Sequence, residues 1–400
     1  MQREPIARLR LNRLVAWSAA LFALTSCLSM SRPSSAREQA YLRTQQYDDA
    51  ALDLAHYQPL ILPGFAADPN EPVVKTASLE MAKRFLDAVA VAWVRQNKCG
   101  TCHTSLAYLA ARPLLGSMDD PAPKEVREAM ISYIERISKR VATPGENPLP
   151  PEGTPRSPLH MRLPTAAMLA VGDGIAGTVD PRIVAEFDPI WKVQRNDGSF
   201  YWPTVSGMLP FLERDADYVT ALVALGAGYL PKSYLERQEV AASLAKTVSY
   251  LMSQPAKDLH AEMVLTWAGI RTPGLADSNR TVRVIERLRS LQRADGGWSL
   301  PSLGSWKRHD GPPNDAVNGP SDGYATGLAT FLLCQVGGTE TVEPIRRGLA
   351  WIRTNQRTSG RWFTRSLYSD QFQHYLSTFG TAYAVMALGS CQVGNGQGQG

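Results

Sequence analysis

A repeated pair of helices is the feature that most constrains how this chain can fold. Six amphipathic stretches, each with polar residues along one stripe, predict surface helices at about 78–97, 124–140, 180–194, 234–254, 278–292 and 343–356. Each is followed by a more apolar stretch, centred on Leu106, Ala166, Ala221, Met263, Thr326 and Ala382. A helix that is apolar nearly all round must be covered on both sides. The alternation therefore predicts an all-α fold, an (α/α)6 toroid in which an outer ring surrounds an inner ring.

Three of the outer stretches end in the same kind of turn. Gln194 to Phe200, Gln292 to Trp298 and Gln356 to Trp362 all follow the pattern Q-x3-G-x-aromatic. We expect the glycine to form a left-handed C-cap and the aromatic ring to pack near the next inner helix. The pattern resembles the QW motifs of squalene and oxidosqualene cyclases. The resemblance implies the α/α toroid that terpene cyclases share with the protein prenyltransferases.

A fourth turn of this kind is altered. The segment from Trp93 to Cys102 keeps the spacing W-x2-Q-x3-G-x, with Gln96 and Gly100 in place. Trp191 begins the second copy in the same way. Cys102, however, stands where the other turns have an aromatic residue. We therefore expect the cysteines near this point to be part of the toroid and not of a separate domain.

The altered turn carries a chemical motif of its own. Cys99-x-x-Cys102-His103 is the attachment pattern of c-type haem, in which two thiols form thioethers and the adjacent histidine binds iron. The motif predicts a covalent haem c. A Cys99–Cys102 disulfide and a metal site built from Cys and His are the alternatives. Arg95 and Lys98 flank the motif and are either partners for the haem propionates or solvated surface charges.

The sixth position on the iron has several candidates. His160 is the first, because it opens the inner helix next to the one that His103 opens, and both would lie at one mouth of the toroid. Met161 and His260 are alternatives at the starts of inner helices. For each of them, capping or hydrogen bonding at a helix N-terminus is the competing interpretation.

The N-terminus predicts export. Arginine-rich residues 1–13 precede an apolar run from Leu14 to Leu24, which is short for a membrane span and typical of a signal peptide. The run leads into Thr25-Ser26-Cys27, which resembles a bacterial lipobox and implies that Cys27 is acylated. The following Leu28 favours the outer membrane, with the protein on the periplasmic face. An ordinary signal peptide or an uncleaved anchor is the alternative.

The domain organisation follows from these segments. Residues 1–27 form the signal and lipoprotein segment, 28–77 a tether and N-terminal wrap, and 78–393 the toroid. The Gly/Gln-rich residues 394–400 are predicted to be disordered. The net charge is +5, but no Lys/Arg tract appears after the signal, so a nucleic-acid partner is not expected.

Two further cysteines occur in a repeated context. Cys334 and Cys391 both begin the sequence Cys-Gln-Val-Gly, and each follows an inner helix of a neighbouring hairpin. We expect them to lie near each other, at the end away from the mouth. They form either a disulfide, as exported proteins allow, or two buried free thiols.

The resemblance to cyclases also implies a catalytic acid. Those enzymes carry a D-x-D-D-T-A motif at an inner-helix start, and the comparable segment here is Asp215-Ala-Asp217-Tyr218. Asp215 and Asp217 are the candidates, but Tyr218 stands in the acid's place and tyrosine is a poor acid for an isolated alkene. Helix capping is the alternative interpretation for Asp217, as it is for Asp258 and Asp322.

Three functions are consistent with the sequence. The first is a haem protein that transfers electrons to a redox partner or carries out redox chemistry on an apolar, isoprenoid-like ligand in a central cavity. The second is an isoprenoid cyclase or transferase without haem. The third is a non-catalytic toroid that binds lipid or a partner protein. The sequence leaves open whether the protein is an enzyme.

Overall fold

Helices make up the regular structure of this protein. The structure is a computed structural model that describes residues 68–97, 104–142, 158–202, 216–306, 308, 319–367 and 374–393, all within a unit spanning Asp48–Gly400. Across these ranges there are no β-strands, only the isolated bridges Val73–Arg357 and Gln194–Phe200. The all-α prediction is therefore confirmed.

The α-helices lie where the hydrophobic pattern placed them. In chain order they are α1 (Leu79–Asn97), α2 (Ser105–Ala111), α3 (Pro121–Ala142), α4 (Pro158–Ala176), α5 (Pro181–Trp191), α6 (Ala216–Ala227), α7 (Lys232–Leu235), α8 (Gln238–Ser253), α9 (Leu259–Arg271), α10 (Ser278–Leu291), α11 (Gly323–Val336), α12 (Val342–Thr354) and α13 (His374–Val393). Helices α1, α3, α5, α8, α10 and α12 are the predicted outer helices. Helices α2, α4, α6, α9, α11 and α13 are the predicted inner ones.

The two sets of helices differ in burial. Every residue of α11 from Gly323 to Leu333 is buried, so this helix has no solvent-facing side. In α10 the buried residues are Arg280, Val284 and Leu288, which form one stripe at helical spacing. These two helices fit the predicted division, but α1 does not: every residue from Phe85 to Val94 is buried, so this predicted outer helix is covered on all sides and the polar stripe expected along it is wrong there.

The inner helices contact one another in sequence. Each contacts the next inner helix along the chain, and α13 also contacts α2. Glycines allow close approach: Gly380 of α13 faces Gly323 of α11, and one turn later Gly327 faces Ala384. Because these contacts advance in the same direction along both helices, α11 and α13 are parallel.

The glutamines of the three regular turns connect successive outer helices. Each Nε2 donates to a backbone carbonyl of the next outer helix or of the residue before it: Gln194 to Ser243 (2.8 Å), Gln292 to Pro344 (2.9 Å) and Gln356 to Ser78 (2.9 Å). Ser78 directly precedes α1, and Gln356 follows α12. The third bond thus joins the end of the last outer helix to the start of the first.

The turn glycines have a different role from the one predicted. Gly198, Gly296 and Gly360 adopt φ values of 95°, 92° and 93°, as a left-handed position requires. In α10, however, Gln292 is the C-cap residue, so Gly296 lies beyond the helix end and the C-cap prediction is wrong. A Cβ at any of the three glycines would collide with backbone of the next outer helix. The glycines are therefore needed both for the turn and for the contact between repeats.

The segment before α1 packs on the last turn. Val74 donates its N–H to the carbonyl of Gln356 (2.9 Å), and buried Glu71 forms an ion pair with buried Arg361 (3.2 Å). This part of the predicted N-terminal wrap therefore covers the turn after α12. None of the helices within the described ranges is long and apolar enough to cross a membrane.

Candidate functional site

Several predicted site residues fall outside the residues that the structure describes. These are the haem-motif residues Cys99, Cys102 and His103, together with Cys27, Lys98 and Asp215. For His160, only the helical backbone is described. The altered turn is therefore bounded by two described positions, the end of α1 at Asn97 and Thr104 before α2.

The C-terminal end of α1 contacts the next outer helix, as do the glutamines that follow the outer helices α5, α10 and α12. Arg95, one residue before Gln96, makes two bonds to Glu125 near the start of α3, with Nε–Oε1 at 2.8 Å and Nη2–Oε2 at 2.9 Å. The end of this outer helix thus lies against the beginning of the next outer helix. The same pairing engages Arg95, which was a candidate partner for the haem propionates.

In the three regular repeats, a threonine of the inner helix holds the aromatic residue of the turn. The hydroxyl accepts the backbone N–H of that aromatic residue: Thr220 from Phe200 (3.2 Å), Thr326 from Trp298 (2.9 Å) and Thr381 from Trp362 (3.1 Å). Each hydroxyl also donates to a backbone carbonyl. These threonines are buried, and both hydrogen-bonding roles of each hydroxyl are filled.

The first two inner helices lack this arrangement. Thr104 and Ser105 at the start of α2, and Thr165 in α4, are each 0% exposed, and their hydroxyl oxygens have no hydrogen-bond partner. Buried polar atoms are nearly always hydrogen-bonded, and an unpaired one costs about 1–3 kcal/mol. Two of these unpaired hydroxyls thus lie at the start of α2, directly after His103 in the chain, and Ser299 and Thr330 are further buried hydroxyls without a partner in later repeats.

A buried arginine adds to this group. Arg162 lies one turn before Thr165 in α4 and is 1% exposed. Its Nη1 has no hydrogen-bond partner, and its Nη2 donates only to the carbonyl of Pro189 at 3.3 Å. Burial lowers the pKa of Arg162, and the nearby charge of Glu186 opposes this effect. Arg162 was not among the predicted site residues, although it is the one charged residue between Met161 and Val171.

These residues fit a covalently attached haem. Haem has two propionate carboxylates that need hydrogen-bond donors, and the orphaned groups at the starts of α2 and α4 can donate. Cys99 and Cys102 would hold the group through thioethers, and His103 would be the iron ligand. When bound, the iron would supply one-electron transfer.

His260 lies in a buried aromatic cluster formed near the starts of inner helices. Its ring stacks on Tyr218 (5.5 Å between centroids) and meets the edge of Trp306 (5.4 Å). Its Nε2 shares a hydrogen bond with the hydroxyl of Tyr324 at 2.8 Å, and Tyr383 packs edge-on against Tyr324. Burial lowers the pKa of His260 to about 3, so the imidazole is neutral at pH 7. To bind iron through Nε2, His260 would have to give up its bond to Tyr324. Apart from the helix-start position of His260, no pattern in the sequence indicated this cluster.

Asp217 has a different environment from that expected of a catalytic acid. Its carboxylate accepts a hydrogen bond from the Tyr250 hydroxyl (2.5 Å) and pairs with Lys257 Nζ (3.1 Å), and 28% of its side chain is exposed. It therefore lies toward α8, whereas the next residue, Tyr218, packs on His260. Successive helical residues point in different directions, and here the carboxylate of Asp217 is bonded to Tyr250 and Lys257 and not to the aromatic cluster.

The capping interpretation holds at two of the three aspartates. Asp258 and Asp322 are N-cap residues whose carboxylates accept the backbone N–H groups of Ala261 (2.8 Å) and Ala325 (3.0 Å). Capping by Asp217 is wrong, because α6 begins at Ala216 and Asp217 is already in its first turn. Burial raises the pKa of Asp322 to about 6, although it also accepts bonds from Leu300 N–H and from Thr364.

The two other cysteines are bonded to each other. Cys334 near the end of α11 and Cys391 near the end of α13 form a disulfide with their Cα atoms 5.5 Å apart. This separation is usual for a disulfide.

Met161 is buried in the first turn of α4, beside Arg162. Across the described residues, no three His, Cys, Asp or Glu side chains are grouped so that they could hold a metal ion. In comparisons with known proteins, no family model matches the chain and no curated protein matches it.

Proposed function

We propose that this chain is an exported c-type haem protein built on a terpene-cyclase-like α/α toroid. It would transfer electrons, or carry out redox chemistry on an apolar ligand held by the inner helices. One observation carries the proposal: the Cys99-x-x-Cys102-His103 motif replaces a regular turn, and the inner helix that follows begins with two buried hydroxyls lacking partners.

Contacts around the inner helices support the toroid. The inner helices meet in chain order, and the last also meets the first. Among the outer helices, Gln356 bonds to Ser78 in the same way that Gln292 bonds to Pro344 within the chain. A ring with six equivalent hairpins accounts for both facts, because in a ring the sixth hairpin has the first as its neighbour.

Cysteine use supports export and haem attachment. The Cys334–Cys391 disulfide is typical of proteins in oxidising compartments. The predicted signal peptide would direct the protein to such a compartment. With Cys27 assigned to the lipobox, Cys99 and Cys102 are the thiols that remain for thioether bonds. We therefore place the protein at the periplasmic face of a membrane, held by the lipid on Cys27.

The aromatic cluster supports an apolar ligand as the alternative to simple electron transfer. Tyr218, His260, Tyr324 and Tyr383 come from four inner helices and are buried together. The cyclase alternative has weaker support, since Asp217 is bonded to Tyr250 and Lys257 and does not face these rings.

A spectrum tests the haem proposal directly. The full chain would be produced with its own signal in a bacterium that matures c-type cytochromes, and its pyridine haemochrome spectrum recorded after extraction of free haem. We expect a c-type band that stays with the protein on a denaturing gel.

The matched variants exchange one cysteine pair at a time. Cys99→Ala with Cys102→Ala should remove the covalent haem, whereas Cys334→Ala with Cys391→Ala should keep it, because that pair is already used in the disulfide. A wild-type protein without covalent haem would refute the proposal.

A further inference from the structure

Arg280 is a buried arginine with incomplete hydrogen bonding. It lies in the first turn of α10 and is 4% exposed. A guanidinium carries five N–H donors. The Nη2 group of Arg280 donates to the carbonyls of Leu275 (2.7 Å) and Leu265 (3.5 Å), whereas its Nε has no hydrogen-bond partner. Buried donors without an acceptor are costly, so a further acceptor beside this guanidinium would stabilise the fold.

At Nη1 of Arg280 the acceptor is a sulfur atom. Sδ of Met252, in the last turn of α8, lies 4.0 Å from this nitrogen. A thioether sulfur is a weak acceptor, so the contact contributes little. An N–H···O hydrogen bond of about 2.9 Å, joined at an angle to one S–O bond, spans a similar separation. The two side chains are thus placed so that a single oxygen atom on the sulfur would complete a strong hydrogen bond.

Met252 is also the most exposed methionine among the described residues, at 45%. Met81 and Met118 are half-buried. The other described methionines are buried, namely Met130, Met161, Met168, Met263 and Met386. Because an oxidant must reach the sulfur atom to react with it, dissolved oxidants should modify Met252 before these others.

The contact joins two successive outer helices at a place where no turn glutamine does so. Gln254 follows α8, but it is exposed, and among the described residues its side chain bonds only to the neighbouring Ser253 (3.3 Å). By contrast, Gln292 after α10 bonds to the start of α12. The weak contact between Met252 and Arg280 therefore takes the place of the glutamine bond between α8 and α10.

We propose that Met252 is a site of reversible oxidation whose sulfoxide is held by Arg280. Hydrogen peroxide supplies the oxygen: a lone pair of the sulfur attacks the peroxide, the O–O bond breaks, an S–O bond forms and water leaves. The sulfoxide oxygen then accepts N–H groups of the guanidinium, in a charge-assisted hydrogen bond. A methionine sulfoxide reductase restores the thioether, with a dithiol as the reductant and water as the product. The chemistry needs no haem.

The effect of this oxidation on stability should be the reverse of the usual one. Methionine sulfoxide generally disrupts packing, because it puts a polar group into apolar surroundings. At Met252 the new oxygen instead meets a buried donor that lacks a good acceptor. The resulting bond would strengthen the link between α8 and α10.

The test treats the full chain with limiting hydrogen peroxide. Peptide mass spectrometry would follow the oxidation of each methionine, and urea unfolding would compare the protein before and after treatment. Met252→Leu is the matched control, because it keeps an apolar side chain of similar size but cannot be oxidised at this position. It receives the same peroxide, so oxidation elsewhere affects both proteins alike. Arg280→Gln removes the guanidinium that would hold the sulfoxide.

We expect Met252 to be oxidised before Met81 and Met118. Oxidation should then raise the urea midpoint of the wild type, and treatment with the reductase should return it to the starting value. The midpoint of Met252→Leu should not rise, and that of Arg280→Gln should fall. If Arg280→Gln does not fold, Met252→Gln takes its place: its amide oxygen is a permanent acceptor for Arg280, so its midpoint should exceed that of Met252→Leu without any oxidant.

Two results would overturn the proposal. Oxidation of Met81 or Met118 ahead of Met252 would show that Met252 is not the preferred site. Oxidised wild type that gains no stability relative to oxidised Met252→Leu would show that Arg280 does not hold the sulfoxide.

Discussion

Removing the Gln356 side chain should destabilise the protein more than removing the Gln292 side chain. Gln356 is 0% exposed, and its amide makes three hydrogen bonds: Nε2 to the carbonyls of Ser78 (2.9 Å) and Gly360 (2.8 Å), and Oε1 from the N–H of Ser78 (2.6 Å). Two of the three join the first outer helix to the last turn. They link parts of the chain that are 278 residues apart.

The size of the effect follows from these bonds. A buried hydrogen bond contributes about 1 kcal/mol net, so Gln356→Ala should lower the free energy of unfolding by about 3 kcal/mol. Gln292 makes two such bonds, to Gly296 (2.9 Å) and Pro344 (2.9 Å), so Gln292→Ala should cost about 2 kcal/mol. Exposed Gln254 bonds only to the neighbouring Ser253 (3.3 Å), and Gln254→Ala serves as the control with a change close to zero.

Urea unfolding followed by far-ultraviolet circular dichroism would measure the three variants. The expected order of midpoints is Gln254→Ala highest, then Gln292→Ala, then Gln356→Ala. If Gln356→Ala unfolds at the same urea concentration as Gln254→Ala, the bond between the two ends of the helical repeat does not stabilise the fold. Such a result would remove the main energetic support for a closed ring of helices.

Two further predictions concern a turn and a cap. Gly360→Ala should cost at least about 2 kcal/mol in urea unfolding, because the residue has a φ of 93° and its new Cβ would collide with the carbonyl of Met81; an unchanged midpoint would contradict this packing. Asp322→Asn should flatten the pH dependence of stability between about pH 4 and pH 6. Burial raises the pKa of Asp322 from 3.8 to about 6, so the folded protein binds a proton that the unfolded chain has lost. Stability from this proton is complete below about pH 4 and is lost as the pH rises through about 6, which urea midpoints from pH 4 to 7 would show; equal pH profiles for the variant and the wild type would contradict the raised pKa.

Local pattern was enough to predict the helices and part of their termini. Outer helices such as α10 show one buried stripe, and inner helices such as α11 show none because every face is buried. The spacing of apolar residues along the sequence indicates each type of burial, so both can be predicted without knowing which helices pack against which. The caps at Asp258 and Asp322 were predictable for the same reason, since a cap bonds to residues three positions away.

Prediction failed where the direction of a side chain mattered. Asp217 and Tyr218 are adjacent, and the sequence alone could not tell which of them faces the inner aromatic cluster. Asp217 was expected just before α6 as its N-cap, but it lies within the first turn of the helix. There its carboxylate points toward Tyr250 and Lys257. Helix starts vary by a residue or two, and each residue rotates the side chain by about 100°, so small errors in position become large errors in direction.

The sequence by itself determined the alternation of outer and inner helices, the repeated glutamine turns and the Cys-x-x-Cys-His motif in the altered turn. The tertiary structure alone decided which polar groups have partners. The hydroxyls of Thr220 and Thr165 belong to similar inner-helix starts, yet one is satisfied by Phe200 and the other by nothing in the described structure. Hydrogen-bond partners come from residues that are distant along the chain, so their presence or absence depends on packing that no local pattern encodes.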